Sequence, residues 1–356
     1  MIWAVVMAGG VGTRFWPLSR RTRPKQLLPI FGKRTLIEET VRRLKSFIPP
    51  QRILVATNAI QRPAIRKLLK ALPAGNIIIE PCSRNTASCL GLAALHIERK
   101  DPDAVFIALP ADHLIRNARA FLSDLKIACG LAAEEKHVVF GIPPSHPHTG
   151  FGYIACKEKM GETGGVALYR GWKFIEKPPL WQAKAFVRSG RYFWNSGMFV
   201  WKLSFFFQSI AETLPSLSRG LARIRSFLAG KPARGRLERI FAGFPNVSID
   251  YGLMEKVKDL YVLKARFDWN DAGSWQELET VGKKDSFGNV LAGSSVAVNS
   301  RGNIVRADRR LVALLGVRNL VVIDAGDALL VAGKDSAQEV KKLVDELRRR
   351  KLDRYL

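Results

Sequence analysis

Acidic residues are in short supply in this chain. Asp and Glu number 31 against 57 Lys and Arg, leaving a formal net charge of +26 over 356 residues. Such a surplus draws phosphate, whether it belongs to nucleic acid or to small anions such as nucleotides and sugar phosphates. The basic residues are spread along the chain, with one dense run at Arg348-Arg349-Arg350-Lys351. Steering of small anions is the reading adopted, and no nucleic-acid partner is expected; a basic nucleic-acid-binding protein is the alternative from another class. Cysteine is sparse as well. Cys82, Cys89, Cys129 and Cys156 show no metal-type pairing, which fits reduced thiols and a cytoplasmic protein. No apolar run approaches the roughly 20 residues of a membrane span, so no membrane partner is expected. No low-complexity tract suggests a disordered arm, and the first three quarters show no repeat of fixed period. Met1–Ala8 is apolar but has no basic leader or cleavage region and runs straight into glycines. It reads as a buried strand.

Hydrophobic residues make up 47% of the chain, enough for a sizeable core and for one large domain with an appendage. Short runs rich in Val and Ile at Ile2–Met7, Ile53–Thr57, Asn76–Glu80, Val105–Leu109 and Val138–Gly141 predict strands covered on both faces. Amphipathic patterns at Leu36–Ile48, Asn85–Arg99 and Ala118–Glu135 predict helices between them. The alternation implies an α/β, mainly parallel, doubly wound sheet, whose ligands bind at the carboxyl ends of strands. From about 150 to 280 the pattern is irregular. Beyond Gly282, short β-rich pieces at Ser295–Asn299, Asn303–Arg306, Val312–Leu315, Leu320–Ile323 and Ala328–Ala332 alternate with Gly, Asn and Asp. A last helix, Ala337–Arg349, would place Val340, Leu343, Val344 and Leu347 on one face. The expected division is a catalytic domain over 1–282 and a small β-rich domain over 283–356, serving packing or self-association.

Ala8-Gly9-Gly10-Val11-Gly12-Thr13-Arg14 follows the first strand directly. Glycines there let the backbone turn sharply and present N–H groups to phosphate oxygens. The loop is not a P-loop, which ends in Gly-Lys-Ser/Thr, nor a dinucleotide fingerprint, whose third glycine would replace Phe15. Pro17-Leu18-Ser19 and Pro24-Lys25-Gln26-Leu27 come next. The combined spacing resembles the signature of the nucleotide-sugar pyrophosphorylases, and its Pro-Lys-Gln ending resembles the mannose-1-phosphate guanylyltransferases.

That resemblance implies a Rossmann-like nucleotidyltransferase fold of the GT-A type, with a mixed, mainly parallel sheet, a short β-helix-like appendage and a terminal helix. It implies joining of GTP and α-D-mannose 1-phosphate into GDP-mannose and diphosphate, with Mg²⁺ or another divalent cation, in a homodimer. Uridylyl or thymidylyl transfer to glucose 1-phosphate is the alternative within the fold. Arg14 and Lys25 would act on the triphosphate, while Asp112 and Asp271 would hold the metal and complete the catalytic set. Ala8, Gly9, Gly10, Gly12, Thr13, Arg14, Lys25, Glu80, Asn85, Thr86 and Asp112 would bind the nucleotide. Glu80 stands where uridine- and thymidine-using relatives have Gln; a carboxylate can accept from guanine N1–H and N2–H₂ together. Asn85 or Thr86 would also cap the following helix. Gly150, Glu176, Lys177, Asn195 and Asp250 would bind the sugar phosphate. His113 is expected to be structural. His146 and His148, the latter where many relatives have Glu, are expected to face solvent.

Overall fold

The computed structural model describes residues 1–10, 12–228 and 235–356; Val11 of the opening loop lies outside them. The chain opens as β1 (Ile2–Met7), α1 (Leu36–Leu44), β2 (Ile53–Asn58), α2 (Arg62–Leu68), β3 (Ile77–Glu80), α3 (Asn85–Glu98) and β4 (Val105–Pro110). β5 (Leu114–Ile115), α4 (Ala118–Ala133) and β6 (His137–Ile142) follow. Local chemistry explains the starts. At α1, Thr35 Oγ1 accepts from the Glu38 N–H at 3.3 Å while Glu38 Oε2 accepts from the Thr35 N–H at 2.9 Å, a reciprocal cap.

The stretch read as irregular is regular. It contains β7 (Gly152–Thr163), β8 (Val166–Glu176), α5 (Leu180–Ser189), β9 (Tyr192–Lys202), α6 (Leu203–Thr213), α7 (Pro215–Leu228) and α8 (Arg236–Ala242). β10 (Leu260–Lys264), β11 (Trp269–Asn270) and α9 (Leu278–Val281) complete it. The physical reason for the misreading lies in the burial pattern. In β7 the first five residues are buried and the rest exposed, so no two-residue alternation marks it as a strand.

Among the described residues the main sheet has nine strands in the order β3-β2-β1-β4-β9-β6-β10-β8-β7. β1, β2, β3 and β4 pair in parallel, as do β6 and β10, while β9 enters antiparallel between β4 and β6. The sheet is therefore mixed, its parallel half carrying the opening loop. Both faces are covered. Ala4 and Val6 of β1 join one buried cluster with residues of α1 and α4, and Trp3 and Val5 join another with residues of α3, α6 and α7. Successive side chains on one strand thus feed opposite layers.

The C-terminal unit holds β12 (Val290–Ala292), β13 (Ser295–Val298), β14 (Ile304–Arg306), β15 (Val312–Leu315), β16 (Leu320–Asp324) and β17 (Leu329–Gly333). β12, β14 and β16 form one parallel set and β13 with β15 another, as in a short solenoid; β17 closes the first antiparallel. The closing helix α10 (Val340–Arg349) follows a tight 3₁₀ stretch, Lys334–Glu339. Val340 and Val344 are buried, but Leu343 is 39% exposed and off the packed face. This unit shares a core with the segment after the opening loop: Phe15, Trp16, Ile30 and Trp275 pack with Ile304, Val321, Ile323, Val340 and Val344. Among the described residues, no helix is long and apolar enough to cross a membrane.

Candidate active site

The carboxyl ends of β1, β3 and β4 open on one cleft of about 620 Å³. Gly9, Gly10, Glu80, Asn85, Thr86 and Asp112 all line it. Gly9 lies so close to Glu80 that an added Cβ would stand 3.1 Å from Glu80 Oε1. Burial pushes the Glu80 carboxyl up to about 7, although a hydrogen bond with Cys89 pulls the other way. Cys89 is itself raised by burial and by Glu80. Neither Asn85 nor Thr86 caps α3 as expected. Asn85 takes a left-handed φ of 63° and its Oδ1 accepts from the Thr86 N–H at 2.9 Å. The Thr86 hydroxyl instead accepts from the Ile249 N–H at 2.8 Å, tying the cleft to the Asp250 segment.

Asp112 and Asp271 are far apart in the sequence. The short ribbon of β5 and β11, pairing Leu114 with Asn270 and Ile115 with Trp269, carries them to one place. Lys25 joins them. Its ammonium donates to Asp112 Oδ2 at 2.8 Å and to the Asp271 carbonyl at 2.6 Å. Burial raises Asp112, but Lys25, His113 and hydrogen bonds outweigh it and hold the carboxyl below its ordinary value. Asp271 goes the other way. Burial, opposed by Lys25 and aided by Glu277 and Asp112, lifts it to about 6. Gly12, at φ 61°, lets the opening loop pass against Lys25; a Cβ there would meet Lys25 Cβ at 2.3 Å. Thr13 begins a 3₁₀ turn that ends at Phe15, and Arg14 within it is exposed. Ala8 is buried, its N–H donating to the Ala56 carbonyl. His113 accepts from Trp269 Nε1 at 3.2 Å, and burial lowers its ring to about 4.

A second cluster gathers four of the five residues expected for the sugar phosphate. Asn195 Nδ2 donates to Asp250 Oδ1 at 2.7 Å, and Lys177 Nζ donates to Glu176 Oε1 at 2.7 Å. Burial and the nearby Glu176 charge raise Asp250, against the pull of Asn195. Lys177 is raised chiefly by its bond to Glu176. Gly150 stands apart: it is exposed and its N–H donates to His148 Nδ1 at 3.1 Å. The glycine against Glu176 is Gly152, where an added Cβ would come within 2.4 Å of Glu176 Oε2. His146 is exposed as expected, but His148 is half-buried. Its ring stacks on Phe151 at 3.8 Å, and burial, with His146 and Arg14 nearby, lowers it to about 4.

Sequence reasoning passed over several residues that shape this site. Asn270 accepts from the Ala272 N–H at 2.6 Å and donates to Glu277, fixing the turn that bears Asp271. Adjacency to Asp271 was the available signal. Asn85, Lys177 and Ala272, one in each of the three site segments, hold positive φ, and such strain gathers where surrounding structure imposes a functional geometry. Among the described residues no group of three or more His, Cys, Asp and Glu could hold a metal.

Comparison with known proteins agrees with the fold. Residues 3–286 match the nucleotidyl transferase family and residues 293–347 match the mannoseP isomerase/GMP-like beta-helix domain. A Klebsiella pneumoniae protein named mannose-1-phosphate guanylyltransferase is 37% identical over 358 residues, spanning 100% of this chain and 76% of the relative. An Escherichia coli protein of the same name is also 37% identical, with the same shares covered. A solved structure from Thermus thermophilus, described as a mannose-1-phosphate geranyltransferase, matches with a TM-score of 0.88 and 39% identity, covering 98% of this chain and 99% of that one. The chain thus belongs to the nucleotidyl transferase family, within the group whose relatives carry the mannose-1-phosphate guanylyltransferase name.

Proposed function

We propose that this protein transfers guanylyl from GTP to α-D-mannose 1-phosphate, releasing GDP-mannose and diphosphate. The observation that carries the reading is the single cleft joining Gly9 and Gly10 of the opening loop to Glu80 and Asp112. A sugar-phosphate oxygen attacks the α-phosphorus in line, and the bond to the bridging oxygen breaks as diphosphate leaves. No covalent nucleophile is required of the protein, which aligns two anions and offsets their repulsion. Gly9, Gly10, Gly12 and Thr13 cradle the triphosphate, and Ala8 anchors the strand behind them. Lys25 has three N–H donors; Asp112 and Asp271 engage two, and we assign the third to the α-phosphate. Arg14, exposed at the loop's end, receives the departing diphosphate. Glu80 in its ionised form accepts from the guanine edge, with Asn85 and Thr86 shaping the pocket. Lys177 orients the attacking phosphate while Glu176, Asn195 and Asp250 meet the sugar; Gly150 borders that side.

Asp112 and Asp271 are chemically suited to a hard divalent cation, since Mg²⁺ takes oxygen ligands and accepts few from protein. Their shared electrostatics fit this, Asp112 being one of the charges that raise Asp271. Magnesium bound there would neutralise phosphate charge. We carry forward a catalytic domain over 1–282, a β-rich domain over 283–356, a homodimer and a cytoplasmic setting as parts of this reading. A diphosphate-release assay crossing four nucleoside triphosphates with mannose and glucose 1-phosphates, with and without chelator, tests it. Highest turnover with GTP and mannose 1-phosphate, abolished by chelation, is the expected result; preference for UTP or dTTP with glucose 1-phosphate refutes it.

A further inference from the structure

Gln26 ends the Pro-Lys-Gln segment without a part in the chemistry above, and it is 3% exposed. Its amide nitrogen lies 3.0 Å from the Ala8 carbonyl, 2.9 Å from the Gly10 carbonyl and 3.0 Å from Gln61 Oε1. Two N–H donors thus face three acceptors, so at least one bond is shared. Gln61 is buried at the start of α2 and donates to the same Gly10 carbonyl at 3.3 Å. Thr57, buried in β2, sets its hydroxyl 3.2 Å from the Ala8 carbonyl and 3.4 Å from Gln61 Oε1. These side chains, from three separate segments, converge on the two carbonyls that bracket the Gly9–Gly10 turn.

In a trans peptide the C=O and N–H lie in one plane and point in opposite directions. Among the described residues the cis bond is Trp16–Pro17, so the Ala8–Gly9 peptide is trans. Holding the Ala8 carbonyl inward therefore leaves the Gly9 N–H pointing away from Gln26 and Thr57, and Gly9 and Gly10 line the cleft with Glu80 and Asp112. A glycine turn has more backbone freedom to lose than any other, and a loop ordered before binding spares the ligand that cost.

We infer that Gln26, Gln61 and Thr57 are positioning residues, a buried amide and hydroxyl clamp that fixes the Gly9–Gly10 turn and aims the Gly9 N–H at the triphosphate before it arrives. The inference rests on the nucleotide site proposed above. The clamp touches no substrate; it acts through the loop.

Gln26→Met and Gln61→Met keep side-chain length and remove the donors, and Thr57→Val removes one hydroxyl at constant shape. Steady-state kinetics with GTP and mannose 1-phosphate, beside thermal unfolding of each variant, read the effect. The KM for GTP should rise about tenfold or more in each Gln variant and about threefold in Thr57→Val, with the mannose 1-phosphate KM within about twofold. The double Gln variant should be no worse than the poorer single one, because both act on one loop. A folded Gln61→Met with an unchanged GTP KM overturns the clamp, as does an equal rise in both KM values. Should the Gln variants not fold, an unchanged GTP KM in Thr57→Val overturns it alone. A wild-type protein inactive on GTP would instead refute the nucleotide reading, an outcome distinct from an active wild type with indifferent variants.

Discussion

Lys25 Nζ sits 2.8 Å from Asp112 Oδ2, yet the lysine side chain is 8% exposed and the aspartate 36%. The pair is therefore lopsided: the cation is buried and the carboxylate keeps a wet side. Lys25→Ala removes the charge proposed to act at the α-phosphate and also the strut between Asp112 and the Asp271 carbonyl. Turnover should fall on the order of 10²–10³-fold. Stability should drop by about 1–3 kcal/mol, since water can still solvate Asp112. Urea unfolding beside initial rates checks both, and near-normal turnover would remove Lys25 from the mechanism.

If Glu80 reads the base as proposed, the nucleotide preference should depend on pH. Its carboxyl is raised to about 7, so acid protonates it in the folded state and one guanine-facing acceptor is lost. The KM for GTP should climb as pH falls through about 7, while Glu80→Gln should abolish that dependence and narrow the GTP-over-UTP preference. Linkage has the matching sign. A carboxyl whose pKa is raised on folding contributes stability below its unfolded value, and that contribution is lost as pH rises through the folded one. Glu80→Gln should accordingly melt at or above wild type at pH 8, with the advantage shrinking near pH 5. A flat GTP KM between pH 6 and 8 would count against the assignment.

Gly152 is buried against Glu176, the carboxylate proposed to meet the sugar. Gly152→Ala drives a Cβ to within 2.4 Å of Glu176 Oε2 and 3.2 Å of the Phe174 ring; the carboxylate end can swing away, and the ring must give by a fraction of an ångström. Folding should survive with a change of about 1 kcal/mol or less. The mannose 1-phosphate KM should rise about tenfold with the GTP KM nearly unchanged. A rise in the GTP KM alone would place Glu176 elsewhere in the reaction.

Trp275 braces the opening segment from the C-terminal side. It is fully buried, packs edge-on to Phe15 at 4.8 Å and donates to the Trp16 carbonyl at 3.0 Å. Trp16 in turn donates to the Tyr355 carbonyl at 2.8 Å, near the chain's end. Trp275→Ala should cost about 3–5 kcal/mol, measurable by denaturant unfolding. Because the brace reaches Phe15, one residue past Arg14, the GTP KM should rise too; loss of stability with unaltered kinetics would show Trp275 to be a prop alone.

Much of this was legible in one dimension. β1, β2, β4 and β6 are short apolar runs because both their faces are covered, and such runs announce themselves without partners. α1 announces itself through the one-sided apolar pattern of Leu36–Ile48, a local periodicity. The glycine loop, Lys25 and the strand-end carboxylates stand in motifs that the family resemblance picked out, and their proposed roles rest on it. Other features came only with the assembled chain. The β5–β11 ribbon joins Asp112 to Asp271, and long-range pairing leaves no periodic trace in either two-residue strand. β7 looked irregular because half of it is buried on both faces and half on neither. His148 was expected in solvent but stacks on Phe151, a contact decided by where the loop returns. Asn85 declined its cap, since its left-handed φ sends Thr86 toward Ile249 instead. Residue chemistry named the groups; distances between them depended on which distant segments the core forced together, and a buried contact is written in no single stretch of chain.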